Sequence, residues 1–351
     1  MNSKEIIFIT SRNRFFGQTR KPWTSLKTDR IIALIQEQGY LVKQYDFHEI
    51  INQEEIIRDK VIIYAFSQKK HYREYIKDIM YHLSKYNKVI PSYELLLCHE
   101  NKGYQEILKK EKGLNELKGA YYTSVREIDF SDITYPVILK TTEGSNGTGV
   151  YLIKNKEQLK KTRKELQKKF SLPKKLDLFR RKHFRRKKFK DYPDFSNRQD
   201  YYEYKEHINQ ETNFILQEFI PDLTYDYRVL IAFDRYYVTR RDTKPGDFRA
   251  SGSKLHNPLH EPNDKLLNYA RTIYGHFDSP FLSIDVVFDG KNYYMIEFQA
   301  LHFGQNVIIK TEGYFRKQNK EKWEFIKEKP DLEKIFAGTY VSYLNNLSNQ
   351  G

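Results

Sequence analysis

Short apolar runs alternate with amphipathic stretches along the first ninety-odd residues. Ile6 to Ile9 predicts a strand, and Thr28 or Asp29 can cap a helix whose Ile31, Ile32, Leu34 and Ile35 form one apolar face before Gly39 ends it. Leu41 to Tyr45 and Val61 to Phe66 read as further strands, and Tyr72 to Tyr86 as a helix leading into Val89, Ile90 and Pro91. Strands alternating with helices imply a mostly parallel sheet, so residues 1–95 are expected to form an amino-terminal α/β domain. Its turns lack GxGxxG, and nothing supports a dinucleotide site there.

The pattern changes after Pro91. Glu100 to Lys112 is a charged helical stretch closed by Gly113. Tyr135 to Lys140 and Gly149 to Ile153 are strands around a glycine-rich turn. Phe214 to Phe219, Tyr227 to Phe233, Tyr236 to Arg240, Phe281 to Phe288 and Asn292 to Phe298 follow as strands, with hairpin turns expected at Asp234-Arg235 and Asp289-Gly290. Residues 96–345 therefore read as an antiparallel α+β region, with no internal repeat.

The 351-residue chain is 39% hydrophobic, 15% aromatic and 30% charged, too aromatic for a disordered chain and too charged for a membrane protein. No stretch reaches the ~20 apolar residues of a membrane span, and the first apolar run is too short for a secretory signal, so a cytoplasmic location is expected. Cys98, the single cysteine, follows three leucines and reads as a buried, inert thiol. The net charge of +15 invites a nucleic-acid or anionic-surface reading. Its distribution changes that picture: residues 160–190 hold sixteen Lys/Arg against Glu165 and Asp177, a local +14, leaving +1 for the rest. Pro173 divides this block into two pieces, each able to form an amphipathic helix. The block is either a clamp for an acidic partner or a solvated insertion.

Three groups of residues carry candidate chemistry. In Tyr135-Pro-Val-Ile-Leu-Lys-Thr-Thr-Glu-Gly-Ser-Asn-Gly-Thr-Gly-Val150, Lys140 precedes a loop containing Glu143, Gly144, Ser145, Gly147 and Gly149. The free backbone N–H groups and a nearby cation suit phosphate, although GK[ST] is missing and ligand-free glycine turns are common. Asp285 and Glu297 interrupt two apolar strands, and Gln299 must point the same way as Glu297. If the turn at Asp289-Gly290 pairs these strands, three oxygen donors share one face, as Mg²⁺ prefers; the other reading is a solvent-facing acidic hairpin. Finally, Phe214-Ile-Leu-Gln-Glu-Phe-Ile-Pro221 offers strand-end backbone groups to a flat heterocycle, and Asp226, Arg228, Arg241 and Arg249 follow as converging charges suited to an anion.

The order of these motifs resembles the ATP-grasp superfamily, in particular its ribosomal-protein glutamate ligases and peptide-modifying ligases, from about Lys102 to Gly304. The resemblance implies a lid subdomain at about 120–213 carrying the basic insertion 160–190, and a carboxy-terminal catalytic subdomain at about 214–345. It implies that Lys102 and Lys140 contact the nucleotide and that the loop from Glu143 to Gly149 covers the phosphates. Gln217, Glu218, Phe219 and Ile220 fall on the adenine hinge, with backbone bonds from Glu218 and Ile220, and Asp226 falls at the ribose. Arg241 and Arg249 match R-x-x-x-x-G-[DE]-F-R, whose arginines face the γ-phosphate and the acyl phosphate; Arg228 joins them as a catalytic candidate. Asp285, Glu297 and Gln299 fall on the metal triad, where Gln299 replaces the usual asparagine, and Ala300 to Gly304 departs from the family's proline-glycine turn.

The implied cofactors are ATP and one or two Mg²⁺, for which Mn²⁺ can substitute. The implied reaction joins a carboxylate to an amine through an acyl phosphate. The alternatives are a phosphotransferase of the same fold and a non-enzymatic polyanion binder, with nucleic acid the less favoured partner. An acidic peptide or uronic-acid surface polysaccharide as acceptor, or peripheral docking on an anionic surface, fits the basic block.

Overall fold

The computed structural model describes residues 5–19, 21, 23–144, 147–166, 171–183, 198–208, 212–253, 255–258, 261–318 and 322–350. The chain divides into two compact units. One comprises residues 1–117, 145–147 and 220–351, and the other residues 118–144 and 148–219.

The first unit opens with four parallel strands, β1 (Glu5–Thr10), β2 (Leu41–Asp46), β3 (Val61–Tyr64) and β4 (Lys88–Ile90), in the order β2-β1-β3-β4. Strand alternation splits β1 between two cores. Ile6 and Phe8 pack with Ile31 and Ile35 of helix Thr28–Gln36, whereas Ile7 and Ile9 pack with Ile76, Ile79 and Met80 of helix Lys70–Ser84. Fully burying each such side chain contributes about 1.5–3 kcal/mol, so the sheet needs both helical layers. Thr28 is the first helical residue rather than a cap: its hydroxyl donates to the Arg14 carbonyl at 2.8 Å, and Lys27 precedes the helix without a side-chain cap. Gly39 has φ +84°, the left-handed turn that stops the chain from continuing as helix.

The second unit is an antiparallel sheet of β5 (Gly119–Tyr122), β6 (Val137–Thr141), β7 (Val150–Ile153) and β8 (Phe214–Glu218) in the order β5-β8-β6-β7. Val137, Leu139, Phe214 and Leu216 form one apolar face with Leu159 and Leu166 of helix Lys156–Leu166. The opposite face carries Lys140 and Gln217 beside Ile138 and Ile215, all four buried. Pro173 stands in the first turn of helix Leu172–His183, where a missing N–H costs nothing. Positions 167–170 and 184–190 of the basic block lie outside the described residues.

The rest of the first unit is a sheet of β9 (Tyr225–Ala232), β10 (Arg235–Asp242), β11 (His256–Asn257), β12 (Phe281–Phe288), β13 (Tyr293–Gln299), β14 (Gly313–Gln318) and β15 (Lys322–Lys327). Its order is β13-β12-β9-β10-β14-β15, antiparallel throughout, with β11 on β10. The β9–β10 turn falls at Phe233-Asp234, one residue before the expected place, because Ala232 pairs with Arg235 and Phe233 takes φ +59°. Tyr227, Val229 and Ile231 face helix Asp264–Gly275, while Leu230 and Ala232 face the carboxy-terminal helix Leu332–Gln350 and the first sheet's core. Neither helix, nor β5, β14 and β15, belongs to the pattern read from sequence. Cys98 is buried as expected, and burial pushes its thiol well up from its usual range.

Candidate active site

Where the apolar packing of the Leu230 face ends, charged residues continue it. Asp226 and Arg228, two apart in β9, share that face. Arg241 in β10 stands opposite Asp226, Asp285 in β12 stands opposite Arg228, and Glu297 in β13 stands opposite Asp285. Four neighbouring strands thus carry one band of alternating charge, set by sheet order and register.

The contacts within the band are close. Arg228 makes a two-pronged bond to Asp285, Nε to Oδ1 at 2.8 Å and Nη2 to Oδ2 at 2.9 Å. Arg241 grips Asp226 through Nε and Nη2, both at 2.6 Å, and its Nη2 also lies 2.9 Å from Asp285 Oδ2. Asp226, Arg241 and Asp285 are only 3%, 3% and 5% exposed. Burial opposes charge on Asp285, but Arg228 and Arg241 outweigh it and hold the carboxyl well below its usual range. For Asp226 burial wins and raises the carboxyl, with the Asp285 charge adding to it. Burial works against the Arg241 cation too, and the two aspartates overcome it and raise its pKa.

Glu297 is looser. Its Oε1 lies 3.8 Å from Lys102 Nζ and accepts from Gln299 Nε2 at 3.4 Å, and its side chain is 24% exposed. Lys102 begins helix Lys102–Glu111, where Asn101 caps by accepting from the Tyr104 amide. Glu297, Gln299 and Asp285 thus come together, as the turn at Asp289-Gly290 predicts. Their three oxygen donors fit a hard divalent cation, with Asp285 engaged by two guanidinium groups and Glu297 open. Among the described residues no cluster of three His, Cys, Asp or Glu forms a metal site of another kind.

Arg249 is held by its neighbour Asp247 through Nε and Nη2, each at 2.9 Å, and its Nη1 donates to the Gly147 carbonyl at 3.2 Å. It makes no bond to the band. Sequence reading also missed two basic residues, His256 and Lys310. His256 in β11 pairs with Arg241; its imidazole is lowered by burial and then by Lys310, Arg241 and Arg228. Neither His256 nor Lys310 belongs to a motif, and only the sheet and helix Asn306–Lys310 bring them near. Gly304 backs Arg228: a β-carbon there would meet Nη1 at 3.3 Å.

In the second unit, Lys140 Nζ donates to Gln217 Oε1 at 2.7 Å, and both side chains are buried. The adjoining loop needs its glycines. Gly149 has φ +75°, and a β-carbon there would lie 2.0 Å from Thr141 Oγ1; Gly144 has φ +130° against the Thr148 carbonyl. Thr141 Oγ1 donates to the Glu143 carbonyl at 2.7 Å. Ser145 lies outside the described residues.

Two of the expected site residues are already engaged by other groups of the protein. The Glu218 N–H donates to the Lys118 carbonyl at 3.0 Å, where the chain enters β5, so that donor is not available to a base edge. Phe219 and Ile220 follow as the chain passes from the second unit to the first. Asp226 is enclosed, with both oxygens on Arg241, which suits it to positioning that arginine rather than to a ribose.

A further polar cluster has no signature in the sequence. Phe66 meets His99 and His302 edge to face, the two imidazoles are tilted with their centres 4.7 Å apart, and none of their four ring nitrogens has a hydrogen-bond partner among the described residues. Beside them a cavity of about 30 Å³, room for about one water, is lined by Tyr64, His302 and Gln305, and Tyr64 Oη and Gln305 Oε1 are likewise unpartnered. Burial, then the Arg73 charge, holds His302 down to about 3, and burial with His302, Arg73 and Lys77 lowers His99 well below its usual value. Both histidines fold neutral and take up protons only on unfolding, so stability is intact above the unfolded value of about 6.5 and falls as pH drops toward the folded values. Through His302 alone, stability is expected to fall by about 1.4 kcal/mol per pH unit between about pH 6 and pH 4, with His99 adding to the fall, and His302→Phe is expected to make the slope shallower, checked by chemical denaturation at each pH.

No protein-family model and no curated protein matches the sequence. Solved structures do match the fold. D-alanine–D-alanine ligase from Bacillus anthracis, crystallised with ATP, superposes with a TM-score of 0.52 at 10% identity, over 99% of this chain and 99% of that one. D-cycloserine synthetase DcsG superposes with a TM-score of 0.53 at 9% identity, over 97% of this chain and 99% of that one. At such identities the likeness establishes the fold alone.

Proposed function

From the ATP-grasp fold that the chain shares with these ligases, we propose that it is an ATP-dependent ligase joining a carboxylate to an amine. The observation that carries this reading is the charge band itself: Arg228 and Arg241 are fixed by buried aspartates on one sheet face, beside the open carboxylate of Glu297. A substrate carboxylate attacking the γ-phosphorus brings an anion to a polyanion. The first demand on the protein is therefore fixed positive charge that needs no reorganisation during the reaction.

Each group has a task. Lys140, oriented by Gln217, and Lys102 neutralise nucleotide phosphate, and the backbone N–H groups of Gly144, Gly147 and Gly149 donate to phosphate oxygens. Arg241 and Arg228 face the charge that spreads over the transferring phosphoryl group, and Arg249 holds the acyl phosphate. The carboxylate oxygen forms a bond to the γ-phosphorus as the bond to ADP breaks; the amine then attacks the carbonyl carbon, loses a proton, and expels phosphate. Asp285, Glu297 and Gln299 would hold Mg²⁺, which when bound supplies further neutralisation of the phosphates.

Two measurements test the reading. ATP consumption is screened over amino acids, acidic peptides and uronic-acid glycans, with products read by mass spectrometry. Turnover that needs both a carboxylate and an amine and yields an amide supports ligation, whereas a phosphorylated product without an amide overturns it. Lys140→Met is expected to raise KM for ATP by roughly tenfold to a hundredfold through loss of a charge-assisted contact, checked by steady-state kinetics.

A further inference from the structure

Two side chains outside the charge band reach the backbone of the strand that carries Glu297. β13 ends the order of its sheet, so the N–H groups on its outer side have no ladder partner and, where buried, need one from elsewhere. Met295 and Phe298 are both 1% exposed. The Phe298 N–H donates to Gln105 Oε1 at 3.4 Å, and the Met295 N–H donates to Tyr269 Oη at 2.9 Å. Gln105 comes from helix Lys102–Glu111 and Tyr269 from helix Asp264–Gly275.

Between these two bonds the strand is irregular. Asp285 pairs with Glu297 and Val286 with Met295, which leaves Ile296 without a partner across the ladder, a β-bulge. The bulge changes which way the side chains face. Met295 and Phe298, three apart, pack in one core with Leu266 and Ala270, while Glu297 and Gln299 share the face of Asp285. Strict two-residue alternation would put Met295 on the face of Glu297 instead. A slip of one residue at the bulge would send Glu297 into the core and Phe298 out to the site. Gln105 is itself fixed: it is 3% exposed, and its Nε2 donates to the Cys98 carbonyl at 3.0 Å, which turns Oε1 toward Phe298. Lys102 stands three residues before it on the same side of the helix, with Nζ 3.8 Å from Glu297 Oε1.

We propose that Gln105 and Tyr269 are positioning residues for Glu297. They hold the strand on either side of Ile296, and so keep the oxygens of Glu297 and Gln299 on the face of Asp285. Neither side chain touches a reacting group. Gln105 also sets its own helix against β13 at the point where Lys102 approaches Glu297. This role rests on the ligase reading, in which Glu297 helps to hold the divalent cation.

Binding of Mn²⁺ with ATP to the full-length protein, without acceptor, is followed by water-proton relaxation, and amide exchange in residues 293–300 by mass spectrometry. Gln105→Met keeps the side chain's length and removes both of its hydrogen bonds; Tyr269→Phe removes only the hydroxyl. Binding is expected to weaken by roughly tenfold in the first and about threefold in the second. Exchange in residues 293–300 is expected to quicken in both, while β9 exchanges as in the wild type. Glu297→Ala is the reference. Binding weakened by Glu297→Ala but unchanged in both positioning variants overturns the positioning role alone. Binding indifferent to Glu297→Ala overturns the metal role of Glu297 and the positioning role with it. Exchange that quickens throughout the sheet makes Gln105 a structural residue and overturns the proposal. If Gln105→Met does not fold, Tyr269→Phe decides by the same two measurements, because its ring stays in place.

Discussion

Glu297→Ala is expected to reduce ATP turnover by roughly a thousandfold while leaving the thermal midpoint almost unmoved. The two halves of that expectation come from the same observation. Glu297 is partly exposed, and its contacts to Lys102 at 3.8 Å and Gln299 at 3.4 Å are too long to contribute much to folding. Its carboxylate nevertheless stands directly opposite Asp285, where the proposed reaction needs a cation. Glu297→Gln keeps the shape and one oxygen acceptor but removes the charge, and it is expected to lose nearly as much. Turnover retained in either variant would remove Glu297 from the metal set. Loss of turnover together with loss of fold would make it structural.

Arg241→Met is expected to be the most destabilising substitution in the site, by about 3–5 kcal/mol, because it leaves buried carboxylates without their cation. Both Asp226 oxygens lose their partners and Asp285 loses one of its two guanidinium contacts. Chemical denaturation measures this directly. The double variant Arg241→Met/Asp226→Leu replaces the ion pair with apolar volume and is expected to recover much of the stability while remaining inactive. Recovery of stability without turnover would show that the loss of activity is not a consequence of unfolding, as the role proposed for Arg241 requires. If the double variant were as unstable as the single one, the Asp226–Arg241 bond would not be what holds this part of the sheet.

The two variants differ because one charge is open and the other enclosed, a distinction that the residue types do not carry. Asp226 and Asp285 are both aspartates within apolar strands, and in sequence they invite the same kind of role. Their surroundings divide them: Asp226 has both oxygens committed to Arg241, whereas Asp285 lies between two arginines and beside Glu297. Glu218 repeats the lesson at the backbone, since its N–H closes a hydrogen bond to Lys118 from a strand that the apolar pattern did not predict.

What was legible in the sequence is what depends on neighbours along the chain. Alternation with period two located most of the strands, glycine and Asp-Gly chemistry located several turns, and the turn at Asp289-Gly290 was enough to bring Asp285 and Glu297 together. The order of motifs carried the fold for the same reason, because each motif is a strand and its adjoining loop. The tertiary structure alone decided which charges are neutralised. Arg241 meets Asp226, and Arg228 meets Asp285, through the order β10-β9-β12, in which β9 and β12 are distant in sequence. The same holds for His99 against His302. Local periodicity says that a side chain has a face, but only the packing of remote segments says what lies opposite it.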